Sequence, residues 1–171
     1  MRLTSLFFMA LLPCAWGQPA GLGQGWLPEF DHAAGQLLGL AEAIPANQYS
    51  WRPAAGVRSV SEVFMHVAIG NYWLLDHAGA KIPEDTPPIT ANLETKTTQK
   101  ADVILWLKRS VSAVREGYRG TDRSKAVKFF GKPSTSEQVF LRILVHNHEH
   151  MGQAIAYTRT IGVVPPWSKK E

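Results

Sequence analysis

Leu144-Val145-His146-Asn147-His148-Glu149-His150-Met151-Gly152-Gln153 reads as helix, and it carries a polar stripe. With 3.6 residues per turn, positions i, i+4, i+7 and i+11 share one face. His146, His150, Gln153 and Tyr157 hold those positions, while Val139, Ile143, Ala154 and Ile155 supply ordinary packing nearby. Two imidazoles, an amide and a phenol in one row are unusually polar for a helix that must bury a face. Imidazoles at i and i+4 are neighbours and can grip one divalent cation, and a third from another helix would complete a three-ligand site with open positions. The alternative is that each histidine is exposed or satisfied on its own. This segment by itself does not choose.

Outward from it, the helix opens at a capping box, Ser134-Thr-Ser-Glu137, and runs to about Thr160 or Ile161, where Gly162 and Pro165-Pro166 close it. A first helix spans about Leu27 to Ile44, with Leu27, Phe30, Ala34, Leu37, Leu38 and Ala41 at helical spacing and Pro45 as its stop. The connector from Asn47 to Gly56 has no period. A second helix starts with the capping box Ser59-Val-Ser-Glu62 and continues to about His77, with Gly79 beyond it. The stretch from Lys81 to Asn92 contains Pro83, Pro87 and Pro88 and reads as a long loop of the kind that covers functional sites. The third helix runs from Thr98 as cap to about Tyr118, its buried face marked by Val103, Ile104, Leu107, Val111 and Val114. Val127-Lys-Phe-Phe130-Gly131-Lys-Pro133 reads as a short apolar loop, and strand signals are nearly absent. Four helices joined by substantial loops make an all-α, four-helix bundle the expected fold.

Of the remaining histidines, His66 lies on the second helix among Val63, Met65, Val67 and Ile69. A histidine in such a place is commonly a satisfied core residue, but bundle cores are where facing helices pool ligands. His77 shares its face, yet eleven residues at ~1.5 Å each put it about 16 Å away, too far for one site. His148 is rotated roughly 200° from both neighbours and cannot join them on an intact helix. His32, on the first helix, stays an unresolved candidate. Glu149 is turned about 100° from His150, so a solvated or salt-bridged glutamate is expected rather than a general base. No Ser-His-Asp pattern, phosphate loop or paired carboxylates compete with a metal.

The frame around these histidines, His146-x-x-x-His150-x-Gly152-Gln153-x-x-x-Tyr157-x-Arg159-x-x-Gly162-x-x-Pro165-Pro166, resembles the last helix of the DinB-like family. Trp51-Arg-Pro53-x-x-Gly56-x-Arg58-Ser59-x-x-Glu62-x-x-x-His66 resembles that family's entry into its second helix. The family takes its name from damage-inducible genes and is distinct from the translesion polymerase of the same name. The resemblance implies an up-down-down-up bundle with a long second connection. It also implies one divalent metal on His66, His146 and His150, and a possible homodimer. Zinc and nickel suit three imidazoles best, and iron or manganese also accept them. Gln153 then becomes a group that orients a ligand or the substrate, and Tyr157 a packing residue. Some relatives transfer or isomerise low-molecular-weight thiols. The implied activity is therefore a metal-dependent hydrolase or thiol transferase on a small molecule, with a non-catalytic metal-binding or sequestering protein of the cell envelope as the alternative.

The beginning of the chain reads as a signal peptide over residues 1–17. Arg2 gives a positive start, Leu6 to Leu12 an apolar run too short to span ~30 Å of bilayer, and Ala15-Trp-Gly17 a cleavage site before Gln18. Leu11-Leu-Pro-Cys14 is a poor lipidation box because of its proline. Cleavage removes Cys14, the only cysteine, leaving no thiolate for catalysis or metal. Residues 18–171 then form one domain, exported to the periplasm or beyond, with no membrane insertion. Without Arg2, seventeen Lys and Arg face fourteen Asp and Glu, a formal charge near +3. The basic residues are scattered, with no stripe interleaved with aromatics, so nucleic acid is not an expected partner.

Overall fold

The computed structural model describes residues 21–168. The expected signal segment, its cleavage site and Cys14 lie outside those residues. Four long helices carry the fold: α1 Trp26–Ala43, α2 Val60–His77, α4 Lys100–Gly120 and α5 Ser136–Thr160, with a one-turn helix α3 Leu93–Lys96 in the connection before α4. Among the described residues no helix is long and apolar enough to cross a membrane.

Side-chain contacts fix the directions. Trp26 at the start of α1 donates its Nε1–H to the carbonyl of Phe140 near the start of α5, so these two run parallel. Asp31 early in α1 pairs with Arg115 late in α4 at 2.6 Å, so those are antiparallel. Gly70 of α2 meets His146 of α5, and Ser136 at the start of α5 bonds the carbonyl of Ala78 at the end of α2, which makes that pair antiparallel as well. The result is up-down-down-up. Because α2 and α4 are parallel, the chain must return the length of the bundle between them, which accounts for the long connection over residues 78–99.

The boundaries follow local chemistry. Ser59 caps α2 as a full capping box with Glu62. The second box sits one residue later than expected, on Thr135 and Gln138 rather than Ser134 and Glu137, because the strand before α5 extends through Thr135. Gln99, not Thr98, occupies the N-cap of α4, and it makes no capping bond. At the far ends, Gly79 (φ 66°) and Gly162 (φ 77°) take the left-handed conformation that lets Ala80 N–H reach Leu75 and Val163 N–H reach Thr158. The last turn of α1 has no basic residue of its own; Lys100 reaches across instead, donating to the carbonyls of Glu42 and Ile44 at 2.7 and 2.8 Å.

A further expectation fails. The apolar stretch after α4 is a β-hairpin, β1 Ala126–Phe129 against β2 Lys132–Thr135, antiparallel with Phe129 opposite Lys132. Four-residue strands are too short for alternation to register. Their two-residue connection is Phe130-Gly131, not the Asn-Gly pair that announces such turns. Both connecting residues have positive φ, 48° and 75°. That costs a residue bearing a β-carbon roughly 1–2 kcal/mol.

Phe30, Ala34, Leu75, Val114, Phe140 and Ile143 fill one end of the bundle, and Leu37, Leu40, Tyr49, Phe64, Met65 and Leu107 the other. Between them three fully buried polar side chains link α2, α4 and α5. Asn147 donates to Asn71 at 2.7 Å, and Asn71 donates to Ser110 at 3.2 Å.

Candidate metal centre

The antiparallel packing of α2 on α5 sets His66 against the i, i+4 pair of α5. The nearest ring nitrogens of His66, His146 and His150 all lie within 4.8 Å of one another. The ring centroids are 4.6–5.1 Å apart and the planes inclined by 58–76°, so the rings converge rather than stack. His66 Nε2 and His146 Nε2 are separated by 3.3 Å. Two nitrogens bound to one zinc at ~2.0–2.1 Å and a tetrahedral angle stand about 3.3 Å apart. Three imidazoles arranged this way fit a divalent ion.

The surrounding residues aim the rings. His66 Nδ1 meets Glu94 Oε2 at 3.1 Å, and Glu94 is itself held by Arg58 at 2.7 Å. A carboxylate on Nδ1 places the ring proton there and leaves Nε2 bare, as a metal ligand requires. His150 Nδ1 meets Gln153 Oε1 at 2.9 Å; Gln153 donates to Tyr157, whose hydroxyl donates to the Arg58 carbonyl, each at 3.2 Å. Tyr157 also packs edge-on against Trp51. Three residues of the polar stripe of α5, His150, Gln153 and Tyr157, thus form one connected chain. His146 has no such partner: its Nδ1 is buried without a hydrogen bond, and its ring lies over Gly70, where a β-carbon would stand 2.5 Å from Cε1. Removing the Glu94 carboxylate should weaken metal binding 10–100-fold. Glu94→Ala, titrated with zinc against a chromophoric chelator, measures this, with Glu94→Gln falling between it and wild type.

Glu94, Gly70 and Arg58 were not among the expected site residues. Glu94 lies 28 residues from His66 in sequence, just past the segment read as an unstructured loop, and only its place on α3 gives it meaning. The other histidines stay apart. Among the described residues the cluster does not include His32. His148 bonds its own helix at Leu144 O, and His77 packs against Trp73 at 4.0 Å between centroids. Glu149 is engaged by the two terminal nitrogens of Arg142, at 2.6 and 3.1 Å.

Burial comes first in holding His146 neutral, with His150, His66 and Arg142 adding to it, and its pKa is lowered to about 3. His66 is lowered too, by burial and Arg58 against the opposing pull of Glu94. Neutral rings are the form that binds metal. For a base whose folded pKa is depressed, the unfolded chain takes up the proton first. The metal-free protein should therefore be fully stabilised above the unfolded value near 6.5 and lose that stability as pH falls towards about 3. Urea midpoints across this range should fall with pH, and fall less steeply in His146→Gln.

Two hollows flank the histidines along the bundle axis. Towards the start of α5, a cavity of about 310 Å³ is lined by His66, Ile69, Gly70, Trp73, Phe130 and His146, among others. Towards its end, a more polar one of about 550 Å³ is lined by Arg52, Arg58, Glu62, Glu94 and Gln153, among others.

The DinB superfamily family model matches residues 29–154, a span that takes in all three histidines. The chain belongs to the DinB superfamily. Among solved structures, a DinB-like protein from Bacillus cereus ATCC 10987 superposes with a TM-score of 0.67 at 18% identity, covering 84% of this chain and 95% of that one. A DinB-like protein from Bacillus subtilis gives 0.62 at 18%, covering 81% and 92%. A conserved protein from Enterococcus faecalis gives 0.60 at 14%, covering 84% and 97%. At these identities the likeness shows the fold alone. No curated protein matches the chain in sequence.

Proposed function

We propose that this chain is an exported enzyme of the DinB superfamily that holds one divalent ion, zinc or nickel before iron or manganese, on His66, His146 and His150 and acts on a small molecule as a hydrolase or thiol transferase. One observation carries the reading: two of the converged imidazoles, His66 and His146, line a cavity of about 310 Å³ instead of being packed over. Pockets of roughly 300–1,000 Å³ suit small ligands. A protein that only sequesters metal has no need of such space. The composition of residues 1–17 supports export.

An ion bound there would supply Lewis-acid chemistry, polarising a carbonyl, taking a thiolate or acidifying water. The chain's own residues prepare the site for it. Glu94 and Gln153 hold two of the rings by their Nδ1 atoms, and burial keeps His146 unprotonated at neutral pH. Trp73, Phe129 and Phe130 give one side an apolar lining, while Arg58 and Gln153 offer donors on the other. The test is turnover of small esters, amides and thiol adducts by protein purified without a histidine tag. Activity should vanish with a chelator and return with zinc or nickel. Turnover unaffected by chelation, or equal in His66→Ala, defeats the proposal.

A further inference from the structure

The apolar cavity has a wall that the metal does not require. Trp73 of α2 and the hairpin pair Phe129-Phe130 form an aromatic group with centroid separations of 4.5, 5.6 and 5.9 Å. His77 adjoins it, packing tilted by 36° against Trp73 and meeting Phe129 edge-on. Two of these rings are left in the open: Trp73 is 42% exposed and Phe130 76%. A large aromatic side chain at φ 48° is doubly unfavourable, strained in its backbone and unburied in its ring. Asparagine would make the same turn without either defect. Strain of this kind persists where a site uses it.

Charge narrows the occupant. Arg142, the one cationic side chain lining this cavity, is neutralised by its two bonds to Glu149. The wall therefore offers no unpaired charge to an ionic group. Its volume is about twice the 150 Å³ cavity that holds a benzene ring, enough for one ring and a short linker.

We infer that Trp73, Phe129 and Phe130 form a subsite for an uncharged aromatic group of the substrate, whose polar, metal-ligating end lies against His66 and His146. The inference rests on the proposed metal site for the position of the polar end, and on the hairpin geometry for the aromatic one.

The test uses two hydroxamic acids that share one chelating head. Zinc-loaded protein should bind benzohydroxamate at least about tenfold more tightly than acetohydroxamate, the scale expected for burying one ring. Phe130→Asn should cut that preference to less than about threefold while raising the urea midpoint, since Asn-Gly favours the turn. Trp73→Ala should cut it likewise. Equal binding of the two acids by wild type, a preference that survives both substitutions, or a lower midpoint in Phe130→Asn each overturns the inference. Failure of the metal reading is told apart with metal-free protein and the neutral fluorophore N-phenyl-1-naphthylamine. Its fluorescence should rise on wild type and fall by half or more with either variant, whether or not zinc promotes hydroxamate binding. No rise, or no difference between proteins, counts against the subsite itself.

Discussion

Gly70→Ala should all but eliminate metal binding while leaving the bundle folded. The added β-carbon would stand 2.5 Å from His146 Cε1, closer than real atoms approach, and a tight 3.2 Å from both ring nitrogens. Gly70 lies inside α2 and His146 on α5, so the ring must leave its place for the helices to keep theirs. Alanine is otherwise the better helix residue, by up to ~1 kcal/mol, which offsets part of the disturbance. Zinc affinity should fall by more than about 100-fold, beyond the loss of an outer hydrogen-bond partner, with helix content retained. Gly152→Ala is the internal control. It sits two residues from His150, but nothing lies within 4 Å of its added carbon, and its affinity should match wild type. A Gly70→Ala protein that binds zinc normally would show that His146 is not a ligand.

Replacing any one of His66, His146 or His150 by alanine should reduce the metal carried through tag-free purification from about one ion per chain to almost none. The two remaining imidazoles do not retain an ion through dialysis, because each lost ligand also frees an open position for water. Elemental analysis supplies the stoichiometry, and thermal unfolding an independent reading. Wild type should gain about 2.7 kcal/mol at free zinc one hundred times its dissociation constant, and the variants nothing. His148→Ala and His77→Ala should behave as wild type, since both rings are committed elsewhere. Full metal content in all three site variants would leave the cluster a purely structural arrangement of neutral rings.

Much of this was readable in the order of residues. Helical period, the Ser59 capping box and the Gly79 and Gly162 stops mark the helix ends because each acts through neighbours close in sequence. The i, i+4 relation of His146 and His150 is of the same kind, and their resemblance to the DinB-like frame brought His66 into the site. What escaped depends on distant chain. Gly70 matters through a side chain it lacks, opposite a residue 76 positions on. Glu94 acquires its role only when the return from α2 to α4 folds α3 against His66. The hairpin was missed because its turn uses Phe130, the residue that local rules disfavour there. The shift of the α5 cap from Ser134 to Thr135 has the same source, since both pairs satisfy the spacing and the hairpin decides between them.

The buried link from Asn147 through Asn71 to Ser110 has a consequence for the height of the helices rather than their faces. Apolar side chains tolerate axial slippage, because one leucine replaces another at little cost. Amides do not. Sliding α5 by one turn, ~5.4 Å, along α2 would preserve much of the hydrophobic contact but strand these groups without partners, at about 1–3 kcal/mol each. Asn147 follows His146 directly, and Asn71 follows Gly70. The same alignment that pairs Asn147 with Asn71 brings His146 over the glycine and level with His66. Specificity of register, more than stability, is what this polar layer contributes, and the three imidazoles meet because of it.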